Sequence, residues 1–254
     1  MKSITKAGSD LVLEAAKKAA AVSLMFLALA TGISYIAYAC DLAVSAWPWR
    51  IGLAVMLVCS LAPFLVYLKA RRTNAMWAFG TIVAIWVFAV YYFFGIFAYF
   101  YYFVFSPMRS FVRWPGLLGG GLLTIYWLFI TQRNVRHTIE HPRFLKSVFI
   151  DDGKEILYDI YKGMRNFERL HKEKLPFPKI YLYLVYGLAP FSLILNRLLA
   201  PTFGSTGVLL LMAVLGMPVS LWFAALLVRV CLLMVVLPIR IEREQRRHVV
   251  VTTR

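Results

Sequence analysis

The sequence predicts an all-α, polytopic membrane protein with six transmembrane helices, both termini in the cytoplasm, and one amphipathic cytoplasmic helix between helices 4 and 5. Three observations lead to this prediction. Hydrophobic residues make up 61% of the chain and charged residues 16%, whereas soluble domains average roughly 45–50% and about 25%. Several apolar runs exceed the roughly 18 residues that a helix needs to cross a bilayer. Connections rich in Lys and Arg alternate with connections that are poor in them.

Six apolar runs supply the spans, because a helix satisfies its own backbone polar groups in lipid. They lie at about residues 19–40, 51–68, 75–105, 114–130, 177–195 and 207–238. Residues 131–178 form a basic cytoplasmic loop, which is too short to fold around a core of its own. We therefore expect a single transmembrane domain over residues 1–254.

The basic residues predict the orientation. Most of the 28 Lys and Arg residues fall in the amino-terminal segment, the connections between spans 2 and 3 and between spans 4 and 5, and the tail. Because basic residues stay on the cytoplasmic side of a membrane, both termini are expected there. The same rule explains the net charge of +16, so no nucleic-acid partner is expected. The chain has no N-x-S/T sequon, in keeping with a bacterial inner membrane.

The third run ends in an aromatic stretch, YYFFGIFAYFYYFVF over residues 91–105, in which eleven of fifteen residues are Phe or Tyr. At 1.5 Å per residue the run is about 46 Å long, against a hydrocarbon core of about 30 Å. The stretch is therefore expected in the outer leaflet and its interface, as an aromatic belt that also packs helices. A platform for a partner or lipid and a ligand-stacking site are the alternatives. The candidate contact residues are Tyr91, Tyr92, Tyr99, Tyr101 and Tyr102.

Two features inside the spans invite a functional interpretation. Span 4 opens with four glycines, which predict close helix packing, with a dimer face or a broken helix as alternatives; they are Gly116, Gly119, Gly120 and Gly121. Span 6 contains Arg229, a candidate intramembrane polar site. No span carries Asp or Glu as its partner, so the side chain is expected to snorkel to cytoplasmic phosphates or to bond backbone carbonyls and Tyr hydroxyls. This lack of acidic groups disfavours an ion-coupled pump and leaves a passive pore possible.

The loop between spans 4 and 5 contains the predicted amphipathic helix, at about residues 152–174. Asp152 followed by Glu155 resembles a capping box, and apolar residues then follow at helical spacing. Such a helix suits docking on the anionic inner leaflet or on a protein partner. The candidate contact residues on it are Lys162, Arg165 and Arg169.

Residues 137–141, HTIEH, match the inverted zinc-protease pattern of two His ligands and one Glu. Pro142 disfavours a helix that continues past His141, and the chain has only four histidines. We therefore expect a polar turn where span 4 leaves the membrane, with no metal. No phosphate-binding loop or dinucleotide fingerprint is present, so no cofactor is expected.

These patterns favour a non-enzymatic accessory protein that acts through contacts with membrane lipids and with a protein partner or copies of itself. A subunit of an envelope export or secretion assembly and an immunity-type protein both fit this description. A channel or passive facilitator is the first alternative, motivated by the glycines and Arg229. A membrane enzyme that acts on lipid is the second, and it would depend on His137 or His141.

Overall fold

The computed structural model describes residues 11–70, 73–141, 144–145, 148–151, 153–170 and 179–252. In this part of the chain the fold is all-α, and five helices are long and apolar enough to cross a membrane. They are α1 (Leu11–Asp41), α2 (Trp47–Lys69), α3 (Met76–Phe105), α4 (Ser110–Ile139) and α7 (Thr206–Gln245). Two shorter helices, α5 (Ile160–Leu170) and α6 (Lys179–Leu188), lie between α4 and α7. The prediction of an integral membrane protein is confirmed at this level.

Three of the spanning helices contain π-helical turns, which are wider than α-helical turns and often occur at functional sites. These turns cover Tyr35–Asp41 in α1, Tyr92–Tyr101 in α3 and Cys231–Val236 in α7. Wider turns change the angle at which successive side chains leave the helix. In α3 the π-helical segment coincides with the aromatic stretch.

Two core clusters define the two ends of the bundle. The aromatic end is the cluster that joins Tyr38 of α1, Tyr101 of α3, Leu117 of α4 and Leu209 of α7. The cap end joins the start of α3, the end of α4 and the end of α7, through residues Met76, Ile139 and Leu237. Helices α4 and α7 therefore run in the same direction. The chain between them must return from the cap end to the aromatic end.

A small α/β layer, the cap, covers the cap end. Its strands are β1 (Phe149–Asp151), β2 (Ile156–Asp159) and β3 (Val249–Thr252), in the order β1-β2-β3. β1 pairs antiparallel with β2, and β2 pairs parallel with β3 from the tail. A bridge between Ala75 and Val250 ties β3 to the start of α3. The cap thereby fastens the loop and the tail to the bundle.

The prediction of a helix that begins at residue 152 is wrong for its first turns. Residues Ile156–Asp159 form the central strand of the sheet, paired on both sides. Gly153 has a positive φ of 81°, and its N–H donates to Asp151 Oδ1 at 2.8 Å, which makes a turn between β1 and β2. The helix begins at Ile160, after Asp159 accepts a hydrogen bond from the Lys162 N–H at 3.1 Å. Residues 152 and 171–174 lie outside the described residues.

The predicted span at 177–195 is not confirmed. Its described part consists of α6, which has ten residues, a 3₁₀ turn, Ala189–Phe191, and the first four residues of the helix that follows. Ten residues of helix cover about 15 Å, half of the hydrocarbon core. The next helix begins at Ser192 and is broken at Gly204, where φ is 59° and ψ is −159°. Residues 177 and 178 lie outside the described residues.

Candidate functional site

The tyrosines of the aromatic end face the inside of the bundle. Tyr92 is 2% exposed, and Tyr101 and Tyr102 are also buried. The hydroxyls of Tyr92 and Tyr101 form a hydrogen bond of 2.6 Å, and the Tyr99 hydroxyl donates to the Gly116 carbonyl at 2.9 Å. Tyr91 is half-buried. The expectation that these hydroxyls meet a head group or an external partner therefore has no support at the three buried positions.

The four glycines of α4 fall into two pairs. A Cβ on Gly116 would overlap the Phe103 ring, and a Cβ on Gly120 would overlap the Tyr99 ring. The pair at 116 and 120 thus lets α4 pack closely against the aromatic stretch of α3. Around Gly119 and Gly121 an added Cβ meets nothing within 4 Å. That second pair lies on the open side of α4.

Arg229 interacts with the cap. Its guanidinium carbon lies 6.0 Å from the centroid of the Phe167 ring, within the range of a cation–π contact. It also interacts electrostatically with Glu168. Both groups belong to α5, so a search for acidic partners inside the spans could not find them. The position of α5 beneath α7 supplies the partners.

Helix α5 has one buried side and one exposed side. Phe167 is 3% exposed, and Gly163 packs against the Tyr158 hydroxyl of β2. On the other side Tyr161 is 70% exposed and Met164 38% exposed. The three basic candidates are exposed there too, namely Lys162, Arg165 and Arg169. We call the exposed residues Tyr161, Lys162, Arg165 and Arg169 the basic face of α5.

The junction between β2 and α5 holds two buried polar groups. The Asp159 carboxylate is buried, and its Oδ2 lies 3.4 Å from Lys162 Nζ. The Tyr158 hydroxyl is buried with no hydrogen-bond partner among the described residues. Burial raises the pKa of Tyr158 well above its ordinary value, and the nearby Asp159 carboxylate raises it further. The phenol therefore stays neutral throughout the physiological range.

The histidine pattern lies at the surface of the cap end. His137 is in the last turn of α4 and His141 in the turn that follows, and both are exposed. In the described ranges no group of three His, Cys, Asp or Glu side chains is close enough to hold a metal ion. The third ligand that a zinc site requires is thus not found in that part of the chain.

One groove was missed by the sequence analysis. It lies between the ends of α4 and α7 and is lined by Arg136, Glu140, Arg240 and Glu244. The signal in the sequence is the spacing R-x-x-x-E, which occurs at the end of both helices. The sequence predicted no groove there, because nothing local shows that the two helix ends are neighbours; the two arginines were counted only among the basic residues that orient the spans.

No protein-family model, curated protein sequence or solved structure matches this chain.

Proposed function

We propose that this protein is a non-enzymatic accessory protein of a membrane assembly, which presents the basic face of α5 to an acidic protein partner. The observation that carries this proposal is the division of α5 into two sides. One side is fixed to the bundle, and the other side is exposed and has a basic surplus, with Lys162, Arg165 and Arg169 beside the exposed Glu168. The setting we propose is the cytoplasmic side of a bacterial inner membrane.

The fixed side makes α5 a rigid platform. Phe167 belongs to the same buried cluster as Met76 of α3, Val135 of α4 and Val230 of α7. The Asp159 carboxylate caps the first turn of the helix. A surface that is held in place before binding loses little conformational entropy when a partner docks. The platform can therefore support specific binding although it is small.

The chemistry of the exposed side favours a protein over a lipid surface. An interfacial helix inserts its apolar side into the head-group region, whereas Phe167 of α5 is turned into the protein. Tyr, Met and Arg are the residue types enriched at the centres of protein interfaces. Three basic side chains, Lys162, Arg165 and Arg169, would attract an acidic surface. A second copy of this chain and the anionic inner leaflet remain the other occupants that the test must distinguish.

The topology we propose has six crossings with both termini in the cytoplasm. The parallel directions of α4 and α7 support it, because the chain from Ile139 to Thr206 has to cross the bilayer between them. Helix α6 and the helix from Ser192 to Gly204 would share this crossing as a broken span. The basic residues at the cap end, such as Arg133, Arg136, Arg240 and Arg243, support a cytoplasmic cap.

The setting we propose is an envelope export or secretion assembly, or an immunity-type complex in which this chain binds and blocks a membrane-targeted toxin. The channel and the lipid enzyme gain no specific support. Gly116, Gly120 and Arg229, which motivated a channel, make contacts inside the protein.

The test is purification of the full chain from its native membrane in a mild detergent. We expect a protein partner to be recovered in near-stoichiometric amount. Arg165→Glu combined with Arg169→Glu should lower the recovered partner about tenfold, because two reversed charges would then face an acidic surface. Quantitative mass spectrometry of the eluted proteins measures the ratio.

The matched control is Arg133→Glu combined with Arg243→Glu. These residues are also exposed at the cap end, and they lie outside the basic face, so the partner should be retained. Recovery of the wild-type chain alone, or as a closed homo-oligomer, would contradict the proposal. Flux measurements in liposomes would then test the channel.

A further inference from the structure

A groove at the cap end is built from two copies of one charge pattern. Arg136 and Glu140 are four residues apart at the end of α4, and Arg240 and Glu244 are four residues apart at the end of α7. All four residues line a groove with a volume of 620 Å³. Small-molecule sites commonly have volumes of about 300–1,000 Å³. The groove is therefore large enough for a polar head group.

Arg240 interacts with an acidic group on its own helix and with another across the groove. Arg240 Nε donates to Glu244 Oε1 at 2.7 Å, and Arg240 also interacts electrostatically with Glu140 on the facing helix. A guanidinium has five N–H donors, so Arg240 keeps donors for a ligand. The groove thus presents both positive and negative groups within one small volume.

The side of the groove towards the spans is apolar. Leu232, Val236 and Leu237 of α7 line it, together with Ile139 of α4. Val236 is 52% exposed and precedes Arg240 by about 6 Å of helix rise. Between Val236 and Arg240 of α7 the lining therefore changes from apolar to charged over a few ångströms, as a phospholipid changes from acyl chain to head group.

The third wall comes from β1 of the cap. Phe149 and Asp151 contribute to it. The Asp151 carboxylate is bound at both oxygens by Arg247 Nη1, at 2.9 Å and 3.0 Å. This ion pair neutralises Asp151. Two guanidinium groups and two carboxylates also line the groove, and of these Arg240 and Glu244 are paired with each other, so a zwitterionic ligand would exchange that exposed pair for its own contacts.

We propose that this groove binds the head group of a zwitterionic phospholipid with a primary amine. Its phosphate lies between Arg136 and Arg240, its ammonium group donates to Glu140 and Glu244, and its acyl chains lie along Val236. An anionic glycerol lipid would satisfy the arginines and leave two carboxylates beside a negative ligand. A choline lipid has no N–H group to donate to them. The groove is separate from the basic face, so it does not depend on the proposed partner.

The test measures lipid retained by the full chain after delipidation in detergent. Native mass spectrometry would follow incubation with palmitoyl-oleoyl phosphatidylethanolamine, phosphatidylglycerol or phosphatidylcholine at equal concentration. We expect about tenfold higher occupancy for the ethanolamine lipid, since charge-assisted hydrogen bonds at both ends distinguish it. Glycerophosphoethanolamine, which has the same head group without acyl chains, should compete weakly at matched concentration.

Three double variants test whether lipid binding depends on the groove residues or on charge anywhere at the cap end. Arg136→Gln with Arg240→Gln should lower occupancy by the ethanolamine lipid about tenfold. Arg133→Gln with Arg243→Gln, three residues away on the same helices and outside this groove, should not change it. Glu140→Gln with Glu244→Gln should shift the preference towards phosphatidylglycerol, because the groove then becomes positive.

Several outcomes would overturn the proposal. Equal retention of the three lipids, or equal loss in the groove variants and their matched controls, would mean that binding is not specific to this groove. Full competition by glycerophosphoethanolamine would make the ligand a soluble phosphodiester instead of a lipid. A preference for phosphatidylglycerol by the wild-type chain would contradict the role of the two carboxylates.

Discussion

The aromatic end and the cap end of this protein differ in where their polar groups lie. At the aromatic end the hydroxyls of Tyr92, Tyr99 and Tyr101 are directed into the bundle and bond to each other or to the backbone. At the cap end the charges of Lys162, Arg165 and the groove residues remain exposed. The aromatic stretch thus packs inside the bundle, whereas charged residues from several segments form the exposed surface of the cap end.

The difference follows from the solvent at each end. A hydroxyl in hydrocarbon costs free energy unless it finds a hydrogen-bond partner inside the protein. Such pairing is seen at the aromatic end, where the Tyr92 hydroxyl bonds to that of Tyr101. At the cap end water and lipid head groups solvate the charges, so the fold does not need to pair them all. Binding surfaces can remain there at little cost in stability.

The largest expected effect tests how the helices approach each other at the two ends. At Gly80 a Cβ would overlap the backbone carbonyl of Met234, whereas at Gly120 it would overlap the Tyr99 ring. A ring can rotate away and a helix backbone cannot. We expect Gly80→Ala to cost about 3 kcal/mol and Gly120→Ala about 1–2 kcal/mol of unfolding free energy. Thermal unfolding of the detergent-purified variants shows whether Gly80→Ala is more destabilising than Gly120→Ala.

The control for these two substitutions is Gly119→Ala. An added Cβ there meets nothing within 4 Å, and alanine favours the helix, so stability should be unchanged or slightly higher. Equal losses for Gly80→Ala and Gly119→Ala would show that close helix approach does not limit stability at the cap end.

The second effect concerns the attachment of the cap. Arg229→Met removes the cation beside Phe167 and Glu168 and keeps much of the side-chain volume. Because such a contact contributes about 0.5–2 kcal/mol, amides of β2 and α5 should exchange faster by a corresponding factor. Amides of α1 and α2 should not change, since local opening of the cap leaves the bundle intact. Hydrogen exchange followed by mass spectrometry measures both regions.

Arg243→Met provides the comparison, because Arg243 is exposed on the same helix and should leave exchange in the cap unchanged. Unaltered hydrogen exchange in the cap of Arg229→Met would contradict the expectation that Arg229 helps to attach the cap to the bundle. An accompanying change in liposome permeability would then restore the channel interpretation.

The smallest effect comes from the buried phenol under the cap. Tyr158→Phe removes a hydroxyl that has no hydrogen-bond partner among the described residues, so it should raise stability by up to about 1 kcal/mol. The pKa of Tyr158 is raised in the folded chain, while the unfolded chain loses this proton near pH 10. Wild-type stability therefore falls above about pH 10, and the advantage of the variant should widen there.

Tyr161→Phe is the matched control, because its hydroxyl is on an exposed residue and the substitution should be neutral at every pH. Chemical denaturation at pH 7 and pH 10.5 gives the comparison. A loss of stability in Tyr158→Phe would indicate that the hydroxyl has a partner after all, such as a bound water molecule.

Much of the fold could be predicted because membrane spans are local signals. The runs at 19–40, 51–68, 75–105, 114–130 and 207–238 each coincide with a long helix of the structure. The helix predicted over about residues 152–174 is wrong at residues 153–159, because alternating and helical spacing overlap in ILYDIYKGM. Residues 156–159 form a strand because they pair with β1 and with the distant tail strand β3.

The sequence by itself determined the membrane class, five of the six predicted spans and the surplus of basic charge, because hydrophobic length and charge need no knowledge of neighbours. Only the tertiary structure decided which contacts the tyrosines, Arg229 and the groove arginines make. It turned the tyrosines inward, gave Arg229 partners from α5, and brought Arg136 and Arg240 into one groove. These are contacts between residues far apart in the chain, and they depend on which helix ends lie side by side.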